Sequence, residues 1–389
     1  MSLVPHSLIK DRWIRALSQT ACGSIIFVGP DGDAQTFTGP RPGPRAHFAI
    51  HEWEVLQRAA ARGDIGLGED YIAGAWETDS VEDLIAFLLL NLDQVEGYAH
   101  GNILNRIFFV LLNSLVRRNS LSGSRRNIEA HYDVGNDFYA LWLDETMTYS
   151  SALFGTGTNA LADAQRNKYA RILSKLEKPA QSVLEIGCGW GGFAEEAAAQ
   201  GRHVTGVTIS PSQYAFASQR LADRAEICLK DYRKVRGSFD AIVSIEMFEA
   251  VGERYWPQYF QVVAERLKTG GRAVIQTILI RDELFSGYRT RSDFIRHYVF
   301  PGGMLPSLAR FTEEARKAGL RIADVFPFGQ DYARTLREWS ARMRAREDAI
   351  LAQGRDQPFL RNWQFYLGQC AAAFAVGRTD VAQIELVRV

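Results

Sequence analysis

Two stretches of the chain place reactive or ligand-binding residue types close together. In the first, the apolar run Val183-Leu184-Glu185-Ile186 breaks into Gly187-Cys188-Gly189-Trp190-Gly191-Gly192 and resumes at Phe193 and Ala194. A strand, a tight turn and a helix in that order open a nucleotide-binding α/β unit. Glycines at 187, 189 and 191 suit it, because a bound adenosine moiety must lie against bare backbone and glycine turns sharply with no side chain in the way. Glu185 stands beside them as an acid. In the second stretch, Glu246-Met247-Phe248-Glu249, two carboxylates sit three residues apart. If both face one site, crowding raises the pKa of one toward that of a usable general base. A surface or cofactor-orienting acid is the other reading of Glu246.

The elements that must position these residues follow from periodicity. Strands are expected at 182–186, 203–208, 225–229, 241–244 and 273–278, and helices at 192–200, 211–224, 256–267 and 307–317. This alternation predicts an α/β fold, a Rossmann-like domain with a mostly parallel, doubly wound sheet that binds ligands at the carboxyl ends of its strands. Ahead of it, 23–50 alternates short apolar runs with Pro and Gly, which predicts a small antiparallel sheet. Helical spacing follows at 52–62 and 81–92, around a loop at 66–71. The expected organisation is a smaller N-terminal α+β domain over 1–116, a linker over 117–127 and the main domain over 128–389.

The segment 103–116 is apolar around most of a helix and runs into Arg117-Arg118 and Arg125-Arg126. It reads either as an interfacial helix pressing toward lipid with arginines at headgroups, or as a core helix followed by a solvated basic linker.

With 389 residues and 47% hydrophobic content, the chain can bury a large core. Its net charge of zero creates no global field favouring nucleic acid. The four cysteines, Cys22, Cys188, Cys228 and Cys370, show neither metal spacing nor a disulfide framework, so no metal is expected and the compartment is expected to be reducing. No apolar run reaches the length of a membrane span, and charged residues interrupt the N-terminus. A soluble, cytoplasmic protein is expected.

The glycine spacing also satisfies a dinucleotide fingerprint, so an NAD-dependent oxidoreductase is a rival. That fingerprint expects an acid at the end of the second strand, but here the strand runs into Ile209-Ser210-Pro211. With the acid at Glu185 instead, the arrangement resembles the class I S-adenosylmethionine-dependent methyltransferases. Further segments extend the likeness: Asn127-Ile128-Glu129-Ala130-His131-Tyr132-Asp133, Gly135-Asn136-Asp137-Phe138-Tyr139, Met147-Thr148-Tyr149-Ser150-Ser151, Val207-Thr208-Ile209-Ser210 with Gln213, Met247-Phe248-Glu249, Phe300-Pro301-Gly302-Gly303-Met304-Leu305-Pro306 and Asp331-Tyr332. In that order they resemble the cyclopropane fatty acid synthases and their mycolic acid relatives, and the opening domain resembles that of the bacterial phospholipid-type members.

The resemblance implies methyl transfer from S-adenosylmethionine to the cis double bond of an acyl chain in a membrane phospholipid. Tyr149, Ser150, Glu185, Gly187, Gly189 and Gly191 would contact the cofactor, Thr208, Ser210 and Gln213 its ribose side, and Asp231 and Tyr232 its adenine end. An alkene is a poor nucleophile, so the site must align it and exclude water. Aromatic faces can stabilise the resulting cation, and Tyr132, Phe138, Tyr149, Trp190, Phe248, Tyr298 and Tyr332 are candidates. In the family a bound bicarbonate takes the final proton. Carried over, its ligands are Glu249, Tyr332 and the backbone of Ile278, with Ser151 where the family has cysteine and Gln276 where it has histidine. Ala250 replaces a further histidine. These departures bear on product, because a proton lost from the added methyl closes a cyclopropane whereas one lost from a neighbouring carbon leaves a methyl-branched alkene. Cys370 matches a cysteine often marked catalytic, but its small apolar neighbours suit a buried structural thiol.

The insertion at about 282–305, with Phe285, Tyr288, Phe294, Tyr298 and Phe300 among arginines, reads as a lid over an acyl tunnel or as a cap on the sheet. The expected partner is unsaturated membrane phospholipid, reached by peripheral contact at the inner membrane face, with no nucleic acid; a homo-oligomer is left open. Methylation of a soluble or isoprenoid alkene is the nearer alternative.

Overall fold

The computed structural model describes residues 6–99, 134–176, 181–291 and 293–388. Tyr132, the apolar segment 103–116 and the linker 117–127 lie outside the described residues. The chain divides into two compact units, one formed from Met1–Val116, Gly287–Val299 and Arg344–Arg378, the other from Arg117–Ser286, Phe300–Met343 and Thr379–Val389.

The first unit holds a four-stranded sheet in the order β2-β1-β3-β4, with β1 at Cys22–Val28, β2 at Ala34–Thr38, β3 at Arg41–Ile50 and β4 at Trp76–Glu77. The sheet is mixed rather than antiparallel. β2 folds back on β1, and β3, reversing again, pairs with the other edge of β1 and so runs parallel to it. Trp13 of α1 (His6–Leu17) packs edge-on against Phe27 and Phe48, which with Trp76 form the aromatic core. α2 (Glu54–Arg62) and α4 (Val81–Leu90) lie within the expected helical stretches.

The expected loop at 66–71 is instead helix α3, Asp64–Ile72. Gly66 and Gly68 serve there for close approach rather than for a turn: a Cβ on Gly66 would meet the Arg58 carbonyl oxygen at 2.5 Å, and one on Gly68 the Phe294 ring at 2.5 Å.

The second unit is built on a seven-stranded sheet, order β10-β11-β9-β8-β5-β6-β7. Its strands are β5 (Ser182–Ile186), β6 (His203–Thr208), β7 (Glu226–Leu229), β8 (Phe239–Ile245), β9 (Leu267–Ile280), β10 (Leu320–Pro327) and β11 (Thr379–Arg388). From β7 through β9 all pairings are parallel; β11 and β10 add an antiparallel edge. β5 lies between β6 and β8, so the strand order reverses there and the crevice at the carboxyl ends of β5 and β8 is the place for a ligand. The expected strands and helices of this part appear within three residues of their anticipated ends, except that β9 begins six residues earlier than expected, at Leu267.

Candidate active site

The glycine loop leaves β5 with Gly187, Gly189 and Gly191 at φ 82, 52 and 86, backbone that side-chain-bearing residues disfavour. A Cβ on Gly187 would lie 2.7 Å from Met247 Cγ, so only glycine lets this loop approach the turn after β8. Around Gly189 nothing would meet a Cβ within 4 Å. Glu185, 2% exposed, has a buried Oε2 without a hydrogen-bond partner among the described residues. Burial pushes its pKa well up. An orphaned acidic oxygen beside an open glycine loop fits a ligand that brings a cationic or donor group, as S-adenosylmethionine does.

Thr208, at the end of β6, donates to Gln213 Oε1 at 2.9 Å, and Ser210 caps the following helix, Pro211–Leu221, by accepting from Gln213 N. These three therefore form one connected polar group at the strand's carboxyl end. Asp231, after β7, is engaged by Arg233 at 2.6 Å, and the Tyr232 ring packs edge-on against Tyr259.

The turn after β8 carries both acids. Glu246 Oε1 accepts from the Ser151 backbone N–H at 2.8 Å and from Gln276 Nε2 at 2.8 Å, while its Oε2 accepts from the Tyr332 hydroxyl at 2.5 Å. The Ser151 hydroxyl is turned away, donating to the Ala152 carbonyl. Gln276 is placed because it pairs with Ile245 across β8 and β9, and Tyr332 because it lies in the first turns of the helix Gly329–Ala345.

Glu249 is held separately: its Oε1 accepts from Ile278 N at 2.5 Å and from Thr277 Oγ1 at 3.0 Å, and its Oε2 is buried without a partner among the described residues. Burial, reinforced by the charge of Glu246, pushes Glu249 up to about 8, which favours its protonated form at neutral pH. Burial also raises Glu246, but Lys168 and its three donors oppose the shift and favour its ionised form. The bicarbonate implied by the resemblance does not fit these donors as they stand, because the Gln276 amide and the Tyr332 hydroxyl assigned to it end on Glu246, together with the Ser151 backbone N–H, and the Ile278 N–H ends on Glu249.

Several residues of this site escaped the sequence reading. Lys168 is wholly buried on the helix Leu161–Ser174, donates to Ser150 Oγ at 2.6 Å and is driven well below the usual lysine range by burial. Its signal was present: Leu161, Ala164, Gln165, Lys168, Tyr169 and Ile172 share one helix face, so two polar residues interrupt an apolar stripe. Thr277 and Gln383 carried no such mark.

Tyr149 packs within an aromatic group, 5.4 Å from Tyr139 and 5.3 Å from Trp339 between ring centroids, and Trp190 lies 5.1 Å from Tyr139. Tyr332 reaches the same group edge-on through Trp339. Phe138, completely buried, packs beside it against Tyr139 and Trp142. Phe248 is also completely buried but stacks on Trp256 in the core, and Tyr298 belongs to the first unit, where it is 44% exposed and donates to Glu69. Cys370 also lies in the first unit, its thiol pushed up by burial and by Asp293, which leaves no reactive thiolate.

Residues 119–384 match the family described as mycolic acid cyclopropane synthetase. The chain belongs to that family. It is an S-adenosylmethionine-dependent methyltransferase acting on fatty acids. Among its relatives, the tuberculostearic acid methyltransferase UfaA1 of Mycobacterium tuberculosis is 37% identical, covering 96% of this chain and 90% of that protein. The cyclopropane-fatty-acyl-phospholipid synthase of Escherichia coli is 33% identical, covering 98% and 95%. The crystal structure of the mycolic acid cyclopropane synthase CmaA1 complexed with SAH and CTAB superimposes with a TM-score of 0.64 at 30% identity, covering 67% of this chain and 97% of that one.

Proposed function

We propose that the protein transfers a methyl group from S-adenosylmethionine to the cis double bond of unsaturated acyl chains in membrane phospholipid. One observation carries the choice of lipid: the likeness to the cyclopropane-fatty-acyl-phospholipid synthase runs through 98% of the chain, N-terminal unit included, whereas the cyclopropane mycolic acid synthase 3 of Mycobacterium tuberculosis covers 67%. S-adenosylmethionine, when bound, supplies an electrophilic methyl group. The chain's own contribution is to hold that donor along the Glu185–Gly191 loop, Tyr149, Ser150 and the Thr208, Ser210 and Gln213 group, with Asp231 and Tyr232 at the far end. The rings around Tyr149 offer π faces to a cation on the acyl chain and keep water from quenching it.

For the product we favour a methyl-branched, unsaturated chain over a cyclopropane. Ser151, Gln276 and Ala250 alter the surroundings of the base, and the relative at 37% identity is named a methyltransferase. The test is incubation with labelled S-adenosylmethionine and vesicles of cis-monounsaturated phospholipid, followed by hydrolysis and ozone, which cleaves alkenes and spares cyclopropanes. A labelled acid that ozone cleaves supports the branched product, a resistant one makes the protein a cyclopropane synthase, and absence of label from lipid overturns the phospholipid reading.

A further inference from the structure

Glu246 is built into its place with unusual care. It lies at φ 48, in the left-handed region that favours glycine, and its own N–H donates to the Gln276 carbonyl at 2.8 Å. The side chain in this disfavoured conformation is held by three donors from three separate elements: the backbone at Ser151, β9 at Gln276 and the helix bearing Tyr332. A glycine would suit the backbone better, so the carboxylate is what this position retains at a conformational cost. Gln276 is itself oriented: its Oε1 accepts from Gln383 Nε2 at 3.1 Å, and Gln383 Oε1 accepts from Arg171 at 2.8 Å, which turns the Gln276 amide nitrogen toward Glu246. Buried Lys168 supplies a compensating positive charge. The donors that would otherwise surround a planar, three-atom O–C–O anion thus surround the chain's own.

We propose that the Glu246 carboxylate is a resident replacement for a soluble anion and accepts the proton lost from the methylated chain, so that turnover needs no bicarbonate. This rests on the methyl-transfer reading above. As the alkene's π pair forms a bond to the methyl carbon, the donor's C–S bond breaks with its electrons left on sulfur, and a neighbouring acyl carbon becomes electron-poor. A C–H pair then collapses toward that carbon, closing either a ring bond or a new double bond. Its proton goes to a Glu246 oxygen and from there to solvent before the next turnover.

The experiment compares wild type, Glu246→Gln and Glu246→Gly in buffer purged of CO2, with and without added bicarbonate or formate, scoring label in lipid. Wild type should be unchanged within about twofold by bicarbonate. Glu246→Gln, which fills the same space without a base, should lose about 100-fold or more in kcat and gain nothing from either anion. Glu246→Gly, which relaxes the backbone and vacates the donors, should lose as much and recover about tenfold or more with either anion. Equilibrium binding of S-adenosylmethionine to both variants, expected unchanged, shows that they are folded. A wild-type rate that collapses without CO2 and returns with bicarbonate overturns the proposal, as does a fully active Glu246→Gln. Titration of carbon-13 bicarbonate by NMR separates the two readings: binding to Glu246→Gly but not to wild type upholds the replacement even if phospholipid proves the wrong substrate, and binding to wild type at the Gln276 and Tyr332 donors sinks it.

Discussion

Gln383 and Gln276 face each other across the antiparallel pairing of β11 with β9, and the side-chain amide of Gln383 donates to that of Gln276 at 3.1 Å. Because Arg171 occupies the Gln383 carbonyl oxygen, both amides have one satisfied orientation. Gln383→Glu keeps the contact with Arg171 but cannot donate to Gln276, whose amide is then driven to flip away from Glu246. A lost hydrogen bond to a charged acceptor is worth about 1.5–3 kcal/mol, so kcat should fall roughly 10- to 100-fold with S-adenosylmethionine affinity unchanged. Steady-state kinetics beside equilibrium cofactor binding checks the split.

Lys168 is the positive charge that favours ionised Glu246. Replacing it by methionine, of similar length and neutral, removes that support without leaving a cavity. The pKa of Glu246 should rise, and the acidic limb of the kcat profile should move to higher pH by about one unit or more. A profile that does not move would mean that Glu246 is not the group being titrated.

Glu249 makes stability depend on pH. A carboxyl raised from 4.5 to about 8 holds a proton in the folded protein that the unfolded chain releases between those values. Folded stability is therefore fully present below the unfolded pKa and declines as pH rises through this window. At about 1.4 kcal/mol per pKa unit the upper bound is about 5 kcal/mol, and because the residue is only half-buried we expect about 2–3 kcal/mol. Urea unfolding of Glu249→Gln against wild type across pH should show the variant's curve flatter by that amount.

In the first unit, Gly68→Ala sets helix propensity against packing. Alanine gains about 1 kcal/mol in a helix, but its Cβ would lie 2.5 Å from the Phe294 ring and 2.8 Å from Phe365. Overpacking of this kind costs about 1–3 kcal/mol, so net destabilisation is expected, read by limited proteolysis and by thermal unfolding.

The parallel core of the second unit was legible in the sequence because β5, β6, β8 and their helices are short, apolar and bounded by Gly, Pro and Ser, signals that act within a dozen residues. The glycine loop and the acidic pair were legible for the same reason. Helix α3 was not, since Gly66 and Gly68 read locally as a turn, and only Arg58 and the distant Phe294 reveal that they are there to make room. The parallel pairing of β3 with β1 was likewise hidden, because a strand's partner is chosen by the sheet and not by its own residues.

The sequence alone determined that Glu246 and Glu249 lie three apart after a buried strand, and it supplied every donor that meets them. It did not determine which donor meets which acid. Ser151, Gln276, Thr277, Ile278 and Tyr332 are drawn from three distant stretches, and their assignment follows from the register of β8 with β9 and from where the helix Gly329–Ala345 begins. Hydrogen bonds act over about 3 Å, and only tertiary packing brings an acid and donors as far as 95 positions away in the chain within that reach.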